Sequence, residues 1–291
     1  MKNLLKYYYN LKIKKVIKKK EYYQIICNDS IYYYIPFSND INLLTYIYSN
    51  IVGRNIYIHK IILNKDNSIV TFSYGKSYIL LKDEIRLKPI NFLDILNFSV
   101  FIKNGICNWD ILWSDKLDYY EYHINQNRIK YRCLYDSFYY YSGLCECAIE
   151  ILNFINRNNI PLYINHKRIK KNISTISFYN PLNLVLDVRV RDVCEYFKEQ
   201  FFYSDNPINK VKRYLNFSHL SNDEAVLFFS RILYPSYYFD VYDEIVKDNY
   251  SFNKLQLIIE KNKDFECFIR DVYYYMRNIY DIPEIEWIIK T

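Results

Sequence analysis

The chain has 291 residues, 51% of them hydrophobic, and a formal charge of +7. That is enough apolar material for one sizeable core or two modest lobes, and it excludes a disordered polymer. No run of 18 apolar residues occurs and no cysteines form a CxxC pair, so neither a membrane span nor a zinc ribbon is expected.

Thirty-five tyrosines against four glycines, with abundant Lys, Asn and Ile, are what an AT-rich coding sequence produces. The same bias explains the positive charge, which is therefore weak support for a nucleic-acid partner. The seven scattered cysteines are Cys27, Cys107, Cys133, Cys145, Cys147, Cys194 and Cys267. The opening MKNLLKYYYNLKIKK carries no continuous apolar h-region. An odd count without a secretory signal points to reduced thiols and a cytoplasmic setting.

In chain order, the run Lys12, Lys14, Lys15, Lys18, Lys19 and Lys20 is interleaved with Ile13, Val16 and Ile17. It predicts an amphipathic helix or strand with a solvated lysine face; a polyanion-binding patch is the minor reading. Short β-branched and aromatic runs at Tyr22 to Cys27 and Ile31 to Pro36, split by Asn28-Asp29, predict strands. Ile41 to Val52 has helical spacing and stops at Gly53. Ile56 to Leu63, Ile69 to Tyr74 and Tyr78 to Leu81 complete a β-rich lobe over residues 1–87, and Asp83 to Pro89 reads as a hinge.

Residues 88–291 read as a helical lobe. Helices are expected over Asn91 to Lys103, Trp109 to Asn125 and Tyr135 to Asn158. Two short apolar strands, Leu162 to Ile164 and Leu184 to Leu186, follow. Helices at Asp192 to Tyr203, Pro207 to Leu215 and Asp223 to Leu233 precede a C-terminal pair ending near Trp287. The class is α+β.

The segment Tyr163 to Phe197 carries the outline of phosphotransferase chemistry. A strand leads into His166, a basic loop and Asn172; a second strand opens onto Asp187 and Asp192. Kinase-like loops carry His-x-Asp-x-x-x-x-Asn, in which Asp is the base and Asn holds metal. Here the second position after His166 is Arg168, and a guanidinium cannot accept a substrate proton. Asn172 falls one residue short of the usual spacing.

Three segments carry a family resemblance: Trp113-Ser-Asp-Lys-Leu-Asp118-Tyr-Tyr-Glu-Tyr, Ser137 to Ile149, and Leu186-Asp187-Val-Arg-Val-Arg-Asp192-Val. The chain resembles aminoglycoside phosphotransferase/choline-kinase-like proteins, in particular the spore-coat CotS/YutH kind from Firmicutes. The resemblance implies a two-lobed protein-kinase-like fold with a small β-rich lobe and a larger helical lobe. It also implies a nucleotide site, which needs a strand lysine and a glycine loop. Ile31 to Phe37 has no lysine, and Tyr22 to Tyr34 has no glycine.

Two alignments stay open. If Leu-Asp187 to Asp192 matches the family's rear segment, the metal position falls near Ser177. Asp187, Arg191 and Asp192 are then structural, with Asp192 capping its helix and Arg189 and Arg191 as local charge partners. If instead Asp187, 19 positions after Arg168, is the metal ligand, magnesium has one carboxylate. The first is preferred because both aspartates find counterparts. Arg168 is expected in a loop beside the inter-lobe cleft, holding an anion or pairing with Asp187.

The remaining chemistry is weak. His59, His123, His166 and His219 lack metal-site spacing, Cys194 sits on an apolar helix face, and Trp109 and Trp113 read as core. The reading is a catalytically impaired kinase-like protein, a pseudokinase, with protein partners in the spore coat and no cofactor. The alternative is an active small-molecule phosphotransferase with a divergent ATP–magnesium site.

Overall fold

In the computed structural model, which describes residues 1–290 except 53, 55, 74, 84–89, 171, 172 and 249–251, the first runs of tyrosine and isoleucine pair into an antiparallel sheet. The chain forms two compact units, residues 1–94 with 172–185 and residues 95–171 with 186–291. The boundary read at residue 87, most of the hinge, Gly53 and Asn172 lie outside the described residues.

The first unit contains α1 (Lys2–Tyr9), β1 (Ile13–Lys18), β2 (Tyr23–Cys27), β3 (Ile31–Pro36), α2 (Ile41–Ile51), β4 (Lys60–Ile62), β5 (Val70–Ser73) and β6 (Lys76–Lys82). Strand order is β1-β2-β3-β6-β4, with β5 also on β6. The lysine run is therefore a strand, and it ends the sheet. β6 is the hub because its run Tyr78-Ile-Leu-Leu81 is apolar on both faces. Ile79 and Leu81 pack with Tyr33, Leu44, Ile61 and Leu182. Tyr78 and Leu80 pack with Leu5, Ile25 and Tyr34. Successive strand residues face opposite ways, so a strand apolar throughout needs two covers. α2 supplies Leu44 to one face and α1 supplies Leu5 to the other. Sequence patterning overlooked α1, whose Tyr9 hydroxyl lies 2.6 Å from the Thr71 hydroxyl.

The second unit holds most of the remaining elements: α3 (Phe92–Phe98), β7 (Phe101–Gly105), α4 (Trp109–Gln126), α5 (Arg132–Ile151), β8 (Ile160–His166), α6 (Thr175–Phe178), β9 (Leu184–Val188), α7 (Val190–Tyr203), α8 (Ile208–Ser218), α9 (Asn222–Leu233), α10 (Ser236–Asp248), α11 (Phe252–Glu260), α12 (Asn262–Arg277) and α13 (Glu286–Lys290). Of these, α6 belongs to the first unit, and α3 and β9 each begin in it. β7, β8 and β9 form a second, three-stranded sheet. Helix α9 is buried at every residue from Glu224 to Leu233, and its Ser230 hydroxyl donates to the Ala148 carbonyl of α5 at 2.7 Å. Ser221 and Glu224 cap its N-terminus reciprocally.

Besides α1, further elements differ from the sequence expectation, among them a strand expected over Ile56 to Leu63 that spans only Lys60–Ile62. The helix expected over Asn91 to Lys103 stops at Phe98, and Phe101–Gly105 turns into a strand antiparallel to β8. Gly105 packs closely there: a Cβ would stand 2.5 Å from Leu162 Cδ1, so a larger residue would have to displace that side chain. The helix expected to run to Asn158 ends at Ile151 in a short 3-10 turn, Leu152–Phe154, and further on the Asn156 side chain binds the Asn158 backbone N–H at 3.1 Å, capping a second turn. The expected C-terminal pair is four helices, α10 to α13. All seven cysteines are free, and among the described residues no helix is long and apolar enough to cross a membrane.

Leu80→Ala opens a void at the hub of the first sheet. It should lower unfolding free energy by about 2–5 kcal/mol, measured by urea denaturation.

Candidate functional site

The second unit's candidate site is a junction of one strand end and one helix start. β8 ends at His166, the loop continues through Lys167 and Arg168, and α7 begins two residues after β9. Two adjacent residues in the first turn of α7 hold that loop. The Asp192 carboxylate accepts the His166 backbone N–H at 3.0 Å, and its Oδ2 stands 2.6 Å from His166 Nδ1. A carboxylate only accepts, so the proton sits on Nδ1. Arg191 donates from Nε to the His166 carbonyl at 3.2 Å and from Nη2 to the Lys167 carbonyl at 3.1 Å, and its Nη1 pairs with Asp187. Phe98 covers the His166 ring, with centroids 4.6 Å apart.

Asp192 does not cap α7, because the cap is Arg189 and the aspartate is turned onto the loop instead. Of the two arginines expected as local partners, Arg191 takes Asp187 while Arg189 reaches Glu224 of α9, 2.6 Å away. Asp187 carries protein donors on both oxygens. Oδ1 accepts the Val188 N–H at 2.8 Å, and Oδ2 accepts Trp109 Nε1 at 3.1 Å as well as Arg191.

Arg168 lies in the loop, as expected, but its partner is Asp240 of α10 rather than Asp187. Its Nε stands 3.0 Å from Asp240 Oδ1, and its Nη1 donates to the Lys167 carbonyl at 3.1 Å. Burial works against the Arg168 charge, but Asp240 and Glu195 more than offset it, so its pKa is raised. Ser177 lies in α6, where its backbone N–H is bound by the Ser174 hydroxyl at 3.2 Å; that segment belongs to the first unit. Asn165, fully buried, donates to the Tyr163 and Asp187 carbonyls at 3.1 and 3.0 Å. Among the described residues no three His, Cys, Asp or Glu side chains gather as metal ligands.

Behind the junction lies a buried ionic network that sequence reading missed. Glu195 accepts from Lys198 Nζ at 2.9 Å, Arg231 Nε at 2.8 Å and the Ser236 hydroxyl at 2.7 Å. Lys198 also donates to the Arg231 and Tyr234 carbonyls, both at 2.9 Å. The Arg231 guanidinium lies 5.1 Å from the Trp109 ring centroid and 5.5 Å from Trp113, while Trp113 stacks on Tyr234 at 4.1 Å. Trp109 thus joins Asp187 to the network. The available signal was a Glu and a Lys three apart on an otherwise apolar face of α7, which predicts a buried pair. Asp240, alone among aromatics in Ser236-Tyr-Tyr-Phe-Asp240-Val-Tyr, was the corresponding signal for Arg168.

Burial alone would push the Glu195 carboxyl up, but Lys198, Arg231 and Arg168 together hold it well below the usual carboxylate range. Its contribution is therefore present above the unfolded value of about 4.3 and is lost as pH falls through the native titration. Glu195→Gln leaves Lys198 and Arg231 buried without their anion. It should cost roughly 3–5 kcal/mol at neutral pH. Urea melts of both proteins should show the gap narrowing as pH drops below about 4.

The comparisons with known proteins bear on this geometry. The family model "Spore coat putative kinase YutH" matches residues 96–280. The endospore coat-associated protein YutH of Bacillus subtilis (strain 168) is 23% identical over 272 residues, spanning 80% of each chain. An aminoglycoside phosphotransferase from Alicyclobacillus acidocaldarius superposes with a TM-score of 0.64 at 9% identity, covering 93% of this chain and 95% of its own. A thermostable mutant of aminoglycoside phosphotransferase APH(4)-Ia, in complex with AMP-PNP and hygromycin B, gives 0.54 at 10% identity over 93% and 97%. These likenesses establish the fold: α+β, aminoglycoside phosphotransferase-like, with a small antiparallel N-terminal part and a larger helical C-terminal part. With the family model covering well over half its length, including the whole loop-and-helix junction, the chain belongs to the spore-coat YutH family of kinase-like proteins.

Proposed function

We propose that this chain is a catalytically impaired member of its family, acting in the spore coat as a binding or assembly component rather than as a phosphotransferase. The observation that carries this reading is Arg168. It stands two residues after His166 on a loop held by Asp192 and Arg191, and is itself tied to Asp240. A base there would need a lone pair for the substrate proton, and a guanidinium has none.

The residues present do not fit a magnesium–nucleotide group. Magnesium is bound through carboxylate oxygens, waters and phosphates. Both oxygens of Asp187 already face protein donors, one of them a cationic guanidinium. Phosphates want a lysine and close backbone donors. β3 offers Tyr33, whose hydroxyl donates to Asp83 at 2.6 Å, and no lysine. The turn between β1 and β2 runs Lys19-Lys-Glu-Tyr22 without glycine. This is one hairpin earlier than the segment expected from sequence to hold such a loop.

The competing reading, an active small-molecule kinase, draws on the phosphotransferase neighbours and on the word "kinase" in the family's description. Calorimetry with ATP and magnesium separates the two. Each missing charge-assisted contact is worth about 1.5–3 kcal/mol, so losing two or three moves a micromolar site to roughly millimolar or weaker. The expected result is no saturable heat in the micromolar range. Micromolar binding that disappears in Asp187→Ala would favour the kinase.

A further inference from the structure

Two exposed surfaces of this chain are complementary. On α4, Ile111, Leu112, Tyr119 and Tyr122 are 57%, 55%, 59% and 69% exposed, far beyond what a helix resting on its own core requires. At 100° per residue these four fall within one narrow arc, with Asp115 inside it and Asp118 at its margin, both exposed. Over its length α4 carries four carboxylates against one lysine. The face is aromatic and acidic.

The other surface is β1 and its following turn. β1 ends the first sheet, and Lys12, Lys14, Lys15, Lys18, Lys19 and Lys20 are all exposed along it. An edge strand studded with lysine resists pairing with another strand. It suits a surface that is acidic and flat, because lysine stems cover aromatic rings while their heads reach carboxylates. Lysine over tyrosine is a contact this chain already makes, with Lys65 Nζ 3.1 Å from the Tyr7 ring centroid and Lys130 Nζ 4.8 Å from that of Tyr131.

We propose that the α4 face is the docking surface for the β1 lysine strand of a second copy of this chain, giving head-to-tail self-association. The inference rests on the assembly reading above and names its first partner. A head-to-tail contact of this kind is heterologous, so it propagates into a ring or an open chain. The contact is largely electrostatic at its rim, so it weakens with salt.

Sedimentation velocity of the full chain over a concentration series tests this. The wild type should associate progressively at low salt and dissociate at high salt. Asp115→Lys with Asp118→Lys spoils the face, and Lys14→Glu with Lys15→Glu spoils the strand. Each double variant alone should associate roughly tenfold or more weakly than the wild type. An equimolar mixture of the two should form a one-to-one species and go no further, since it holds one intact face and one intact strand. Should a reversal lower the melting temperature, the neutral versions Asp115→Asn with Asp118→Asn and Lys14→Gln with Lys15→Gln carry the same comparison. A wild type monomeric at every concentration, an association indifferent to either variant, or a folded mixture that stays monomeric would overturn the proposal. A monomer that also ignores ATP would overturn this inference alone and leave the assembly reading standing; an assembling chain that binds ATP tightly would do the reverse.

Discussion

The structure of the second unit turns on the grip of α7 on the loop after β8. Asp192 is almost fully buried, and it accepts both the backbone N–H and the ring Nδ1 of His166. Without that carboxylate, two donors would be stranded in a dry interior, at roughly 1–3 kcal/mol each. Arg191, one residue earlier, takes the next two carbonyls of the loop and anchors itself on Asp187. The helix start thus binds the backbone at the end of β8 and the start of the loop. The backbone leading into Arg168 is held by these two side chains, and its guanidinium is tied to Asp240.

Such a grip is independent of chemistry. It fixes loop backbone through main-chain atoms, whatever side chain stands two residues after His166. The network behind it follows the same logic. Trp109 joins Asp187 to Arg231, and Arg231 shares Glu195 with Lys198. A buried ion set of this kind is weak evidence for stability but costly to break in part.

The strand-rich N-terminal part and the helical C-terminal part were legible because strands alternate and helices repeat, both local patterns. The junction was legible only as a segment: Asp192 was expected to cap α7, and it grips the loop backbone instead. Other features were not legible, for identifiable reasons. Arg168 finds Asp240 across 72 residues and Asp187 finds Trp109 across 78, and no spacing rule spans such gaps. Phe101 to Lys103 was read as the end of a helix because a short apolar run does not declare its period, and β8 decided it by offering a ladder. α1 was hidden in a lysine- and tyrosine-rich run that only the two-sided packing of β6 explains.

The central claim is that several requirements for phosphoryl transfer are missing together, not the base alone. Phosphate release from ATP and magnesium by Arg168→Asp, set beside the wild type, tests this most directly. The account predicts no turnover above the protein-free blank for either protein. Measurable hydrolysis restored by that single substitution would mean the rest of an active site is intact, and would contradict the account.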